Sequence, residues 1–186
     1  EAAAALLAPL LGPDTAVVPF QNGIESEARI AAVIGPGRVL PGAAFIPAAI
    51  ERPGVIRHAG GFARLVFGEP DGSRSSRSEA LLKAVETAGI EATLSPGIGD
   101  VLWQKFVMIA SHAGLSTLAR RPSGEVLADA DLRATVAAAL AEVVAGGEAE
   151  GVRFPDDFLA AQMDLLDKFP AQSKPSMLQD FDAGRR

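Results

Sequence analysis

Apolar residues recur at two different spacings along this chain, and the spacing changes once. From Pro96 onward they return every three to four residues and β-branched runs disappear, which is the period of amphipathic helices. Before that point short β-rich runs alternate with helical stretches and glycine-rich turns. The pattern predicts a helix ending at Gly12-Pro13, a strand over 15–20, a helix over 24–34 stopped by Gly35-Pro36-Gly37, and a strand over 39–45. Runs 55–58 and 63–67, separated by Gly60-Gly61, predict a hairpin; a helix over 76–85 then leads through Gly89 to a strand over 90–94. In the second half, helices are predicted over 100–119, 129–146, 156–168 and 176–183.

Capping signals sharpen these boundaries. Glu25 lies three residues after Asn22, the spacing of a capping box, so Asn22 is expected to cap the helix over 24–34; Ser76 with Glu79 predicts the same for the next helix. Asp100 is expected to cap the first long helix, and Ser176 after Pro175 the last one. The change of texture at Ser95-Pro96-Gly97 predicts an α/β domain over 1–95 and a helical domain over 96–186. The chain opens on Glu1, inside an apolar helical pattern with no capping signal before it, so an upstream segment is expected.

Composition narrows the function classes. With 186 residues of which 48% are hydrophobic, the chain is a globular protein with one substantial core or two modest ones. The net charge of -6 comes from scattered acids, so no face is built to neutralise phosphates and nucleic acid is not expected as a partner. Cysteine is absent, which excludes disulfides and thiolate metal sites and points to a reducing cytoplasm. The two histidines, His58 and His112, cannot make a histidine metal cluster, and no metal is expected. The Ala-rich start is too short and too interrupted by Pro9 to span a bilayer, so no membrane role follows.

Two glycine pairs invite a phosphate-binding reading, and both fail it. Gly35-Pro36-Gly37 leads into a strand, and Gly97-Ile98-Gly99 carries Leu102 where a third glycine is needed. The informative stretch is Trp103-Gln104-Lys105-Phe106. A lysine among Leu102, Phe106, Val107 and Met108 needs an anionic partner or a lowered pKa if it faces inward, although taken alone it reads as a lysine whose stem reaches water. Helix geometry places Ile109 and His112, four and seven residues on, near the same side as Lys105, so His112 is a candidate to line the same cleft. The competing reading is a histidine held by a backbone carbonyl between helices.

Three separated motifs together resemble the 2-dehydropantoate 2-reductase (ketopantoate reductase) family: Gln21-Asn22-Gly23 after a strand, Trp103-Gln104-Lys105 near a helix start, and Ser176-Met177-Leu178-Gln179-Asp180 followed by Gly184-Arg185. The likeness runs from about Val17 to the end of the chain. It implies a partial Rossmann-type α/β domain followed by an all-helical domain of the 6-phosphogluconate-dehydrogenase type, and hydride transfer from NADPH to the ketone of a small 2-keto acid, 2-dehydropantoate to pantoate in pantothenate biosynthesis. By the same resemblance, Lys105 is the general acid, Asn22 stands at the seam of cofactor and substrate with Gly23 beside the cofactor, and Ser176 holds the substrate's polar end. The family's glycine-rich nucleotide turn would lie upstream of this chain, and a substrate-binding glutamate two residues past Arg186. A homodimer through the helical domain is a further implication, and residues 1–186 alone are expected to be inactive.

The departures bear on the substrate. Where the family's pattern carries asparagines four and eight residues after the lysine, this chain has Ile109 and Ala113, so two hydrogen-bonding groups are replaced by apolar ones. Helix geometry offers His112 or Ser111 as the polar contact instead. Two alternatives stay open: a related NAD(P)-dependent hydroxy-acid dehydrogenase with a different substrate, and a helical dimerisation or binding module without catalysis.

Overall fold

The computed structural model describes residues 2–58 and 60–185. The two end residues of the expected domains, and Ala59 within the expected hairpin, lie outside the described residues. The chain forms a mixed α/β unit followed by an all-helical unit, and the two divide between Leu102 and Trp103. Among the described residues no helix is long and apolar enough to cross a membrane.

The first unit starts with a helical turn, α1 (Ala2–Ala5), and continues through α2 (Ser26–Ile34), β1 (Gly42–Phe45), β2 (Ala48–Arg52), β3 (Val55–His58), β4 (Arg64–Phe67), α3 (Ser76–Thr87) and β5 (Glu91–Leu94). A three-stranded sheet has the order β1-β4-β5, with β1 antiparallel to β4 and β4 parallel to β5. The parallel pair needs a crossover, which α3 supplies. Val39, Leu40, Ala43, Val66 and Phe67 are buried and make the core of this unit.

Several local expectations are corrected. The predicted strand over 15–20 is a single parallel bridge, Val17 to Val39, built from Val17 N–H to the Arg38 carbonyl (2.8 Å) and Leu40 N–H to the Val17 carbonyl (2.9 Å). Pro19 has no N–H to continue the ladder. Asn22 does not cap α2: Gly23, at φ 104°, turns the chain, the helix starts at Ser26, and Glu25 precedes it with its carboxylate on Arg29.

The expected hairpin of 55–58 with 63–67 does not form. β3 pairs instead with β2 across Pro53-Gly54, where proline fixes the first turn position and Gly54 takes the positive φ of 78° required at the second. β4 is thereby free to join the three-stranded sheet and bury Val66 and Phe67, a gain the exposed hairpin cannot offer. Ser75, one residue before the expected Ser76, caps α3 in a reciprocal box with Ser78. Glu79 is drawn off by Arg74, 2.6 Å away.

Glu69 is the buried acid of this unit, 5% exposed. It accepts from both Ser75 Oγ and the Arg77 guanidinium, and Arg77 Nη1 also donates to the Gly37 carbonyl at 2.6 Å. The Arg77 hydrogen bond, outweighing burial, which acts the other way, and joined by the Ser75 bond, holds the Glu69 carboxyl below its ordinary value.

The helix α4 (Ile98–Met108) runs into a π-helical turn (Ile109–Ala113) and on into α5 (Gly114–Ala119). Asp100 lies in the first turn of α4 and so does not precede it as a cap. After these come α6 (Ser123–Ala128), α7 (Ala130–Ala149), α8 (Phe158–Asp167) and α9 (Ser176–Asp182). α6 has no counterpart among the sequence-predicted helices, because six residues are too few to display a period. Asp129 caps α7, accepting from the backbone N–H groups of Asp131 and Leu132. Val136, Leu140, Val144 and Gly147 form the buried stripe of α7, and they pack with Val107, Val126, Phe158 and Leu166. Arg133 ties α7 to α8 through two bonds to Asp167, at 2.6 and 2.8 Å.

Candidate active site

Lys105 sits half-buried in α4 between two anchors. Val107 is fully buried in the core of the helical unit. Trp103 meets Phe106 edge-on at 5.8 Å and packs over Gly147 of α7, where a Cβ would come 3.0 Å from Trp103 Cε3 and 2.9 Å from the Phe154 ring. Glycine at 147 lets the indole lie down and fixes the helix face that carries Lys105. Burial pushes the Lys105 ammonium below its ordinary value. A cation in that condition releases a proton more readily and attracts a developing oxyanion.

One turn further the helix widens. The π turn admits one extra residue, so positions beyond Met108 are rotated away from the α-helical phase that would align His112 with Lys105. His112 is 4% exposed, stands edge-on to Phe169 (5.8 Å, 75°), and its Nε2 has no hydrogen-bond partner among the described residues. No backbone carbonyl therefore holds Nε2. Burial pushes the His112 imidazole below its ordinary value, so it is neutral at pH 7. Ser111, also buried, has an unpartnered Oγ as well.

His112 and Ser176, far apart in sequence, line one cavity of about 320 Å³ inside the helical unit. Its walls come from the end of α4 and the π turn (Met108, Ile109, His112, Ala113), from Ser123, and from the segment leading into α9 (Phe169, Pro170, Ser173, Lys174, Pro175). Ser176 is the first residue of α9 and Pro175 is its N-cap, so the serine faces the cavity mouth and does not cap the helix as expected. The segment is clamped by Ser123 N–H to the Ser173 carbonyl and Gly124 N–H to the Ala171 carbonyl, both 2.9 Å. Part of the last motif is structural: Asp180 accepts from Arg185 Nε (2.7 Å), and Gln179 donates to the Lys174 carbonyl (2.7 Å). Sequence reasoning missed Ser123, Phe169 and Ser173, for no spacing rule connects them to His112.

In the first unit, the Gln21–Gly23 turn is open. Asn22 is exposed, and nothing lies within 4 Å of where a Gly23 side chain would stand. Gln21 and Gly23 border a small crevice with Pro19, Pro41 and Gly42. An exposed carboxamide beside open backbone suits the edge of a nicotinamide, whose amide needs both a donor and an acceptor. No glycine-rich pyrophosphate turn occurs in the chain, so these residues fit only that end of a dinucleotide. Among the described residues no group of three or more His, Asp or Glu side chains could hold a metal ion.

An α/β unit with an open Asn-Gly turn, followed by an all-helical unit with a half-buried lysine near its start, has the build of a two-domain oxidoreductase. The comparisons are more specific: residues 1–72 match the model described as ketopantoate reductase PanE/ApbA, and residues 98–186 match its C-terminal counterpart. The chain belongs to the ketopantoate reductase family. It is 33% identical over 202 residues to a 2-dehydropantoate 2-reductase of Mesorhizobium japonicum, covering 96% of this chain and 60% of that protein. It is 30% identical over 177 residues to YkpB, an uncharacterized oxidoreductase of Bacillus subtilis, covering 95% and 58%. The crystal structure of 2-dehydropantoate 2-reductase from Methylococcus capsulatus superposes with a TM-score of 0.87 at 34% identity, covering 97% of this chain and 57% of that one. The chain thus spans less than two thirds of the length of these relatives.

Proposed function

We propose that the protein carrying this chain is a nicotinamide-dependent reductase of a small 2-keto acid, with Lys105 as its general acid. The observation that carries this is Lys105 itself, half-buried with a lowered pKa, one helical turn before a small-molecule-sized cavity that Ser176 borders. A nicotinamide cofactor, when bound, supplies the hydride to the ketone carbon. Lys105 gives a proton to the carbonyl oxygen as negative charge develops there, and its remaining donors keep that oxygen in place. Ser176 receives the polar end of the acid. Asn22 orients the carboxamide edge of the cofactor, and the bare backbone at Gly23 lets the ring approach.

The finer reading is reduction of 2-dehydropantoate to pantoate with NADPH, in the cytoplasm, by a homodimer associated through its helical part. The named Mesorhizobium and Methylococcus relatives support the reaction class. The test is nicotinamide oxidation by the complete protein, with NADPH and NADH, against a panel of 2-keto acids. Lys105→Ala should lower kcat by about 10²- to 10⁴-fold while the circular dichroism spectrum and melting temperature hold. Unchanged turnover in that variant would rule out the role, and a binding module would show no turnover from the start.

A further inference from the structure

The cavity in the helical unit is mostly apolar, and its one charged lining residue, Lys174, is exposed and donates its ammonium to Asp182 at 2.7 Å. Met108, Ile109, Ala113, Phe169, Pro170 and Pro175 are all apolar, and they come from two separate stretches of chain. Two of the hydroxyls that border it are already taken up by each other's residues. Ser123 Oγ donates to the Ser173 carbonyl and Ser173 Oγ donates to Ser123 Oγ, both at 3.0 Å. A hydroxyl has one proton to give, so neither serine has one left for a ligand. His112 contributes its ring to the wall, but its Nε2 is sealed from solvent. Ser176, exposed at the start of α9, and Lys174 two residues before it mark a polar end to a mostly apolar chamber. At about 320 Å³ the chamber falls at the small end of ligand sites, about 300–1,000 Å³.

We infer that this cavity receives the side chain of the 2-keto acid and selects an apolar, branched side chain over one that carries a hydroxyl, with Ile109, Ala113 and Phe169 as the specificity-determining residues. The inference rests on the 2-keto acid reductase reading above and departs from its finer form, since 2-dehydropantoate carries the hydroxyl that these walls disfavour. A hydroxyl carried against Ile109, Ala113 and Phe169 exchanges its bonds to water for contact with carbon, and none of those three side chains returns them. A methyl group in the same place loses nothing and gains close packing. The carboxylate end of the acid is left toward Ser176, where the polar group is.

The decisive pair is 3,3-dimethyl-2-oxobutanoate and 2-dehydropantoate, which differ by one hydroxyl. Their kcat/KM values are measured on the complete protein with NADPH and with NADH. An apolar chamber favours the first acid by roughly 10- to 100-fold, whereas a site built to bond the hydroxyl rejects the acid lacking it by about 10⁴-fold or more. Ile109→Asn, which puts a donor and an acceptor into the wall, should narrow the preference by about tenfold, chiefly by improving 2-dehydropantoate. Ala113→Ser makes the same test should the first variant fail to fold. Equal values for the two acids in the unsubstituted protein, or a preference for 2-dehydropantoate, overturn the inference and leave the reductase reading standing. Reduction of neither acid, nor of any other 2-keto acid, overturns both.

Discussion

His112 meets the ring of Phe169 edge to face, centroids 5.8 Å apart and planes at 75°, joining the π turn after α4 to the segment that leads into α9. The contact forms one wall of the cavity, and it buries an imidazole nitrogen with no partner among the described residues. A neutral ring suits that position; a charged one does not.

The first prediction follows from the sign of that shift. The His112 pKa is lowered in the folded state, so below the unfolded value of about 6.5 the unfolded chain binds the proton that the folded chain refuses. Stability is therefore undiminished above that pH and falls as the pH drops through it. Urea midpoints at pH 5 and pH 7.5 should differ less in His112→Phe, which keeps the edge-on contact and removes the titration. An unchanged difference would show that His112 does not titrate in this range.

Lys105 gives the second. A general acid must be protonated to act, so kcat/KM should decline on the alkaline side as the ammonium loses its proton. Burial lowers the Lys105 pKa, so the midpoint of that decline should lie below about 10.4, the value of an unperturbed lysine. A pH-rate profile of the complete protein, with Lys105→Ala as the reference for the residual rate, measures it.

The buried pair in the α/β unit gives the third. Glu69 is held by Arg77 and Ser75 at the start of α3, and Arg77 is in turn held by the Gly37 carbonyl. Arg77→Met leaves the carboxylate buried beside one hydroxyl and should cost about 3 kcal/mol in a urea unfolding experiment. Because the Glu69 pKa is lowered by this pairing, its contribution is present above the unfolded value of about 4.3 and is lost as the pH falls below it. The penalty of the substitution should therefore shrink at pH 3 to 4.

The fourth concerns the cofactor. Residues 1–186 contain the Asn22-Gly23 turn and no glycine-rich pyrophosphate turn. Isolated as such, they should bind NADPH weakly and show no reductase activity; calorimetry measures the first and nicotinamide absorbance the second. Tight binding would mean that another part of this chain grips the phosphates.

Much of this protein was legible in the order of its residues. The change of apolar period near Pro96 marks the onset of helical texture, a few residues before the division at Leu102 and Trp103, because period is a local property of side-chain projection. The three motifs identify the family for the same reason, each being contiguous. The caps were less legible: Ser75 takes the place expected of Ser76, one residue away, and Asp129, not named from sequence, caps α7. Strand pairing was not legible: β3 had two candidate partners, and the choice depended on which arrangement buried Val66 and Phe67. Nor was the neighbourhood of His112, since an α-helical count from Lys105 is displaced by the π turn and nothing local announces that widening. Asn22, Lys105 and Ser176 are proposed as site residues from sequence motifs. That Ser176 shares a cavity with His112, Ile109 and Phe169, with the hydroxyls of Ser123 and Ser173 turned toward each other, was decided by packing among residues some sixty positions apart. Contacts at that range depend on how whole helices fit together, which no short window of sequence contains.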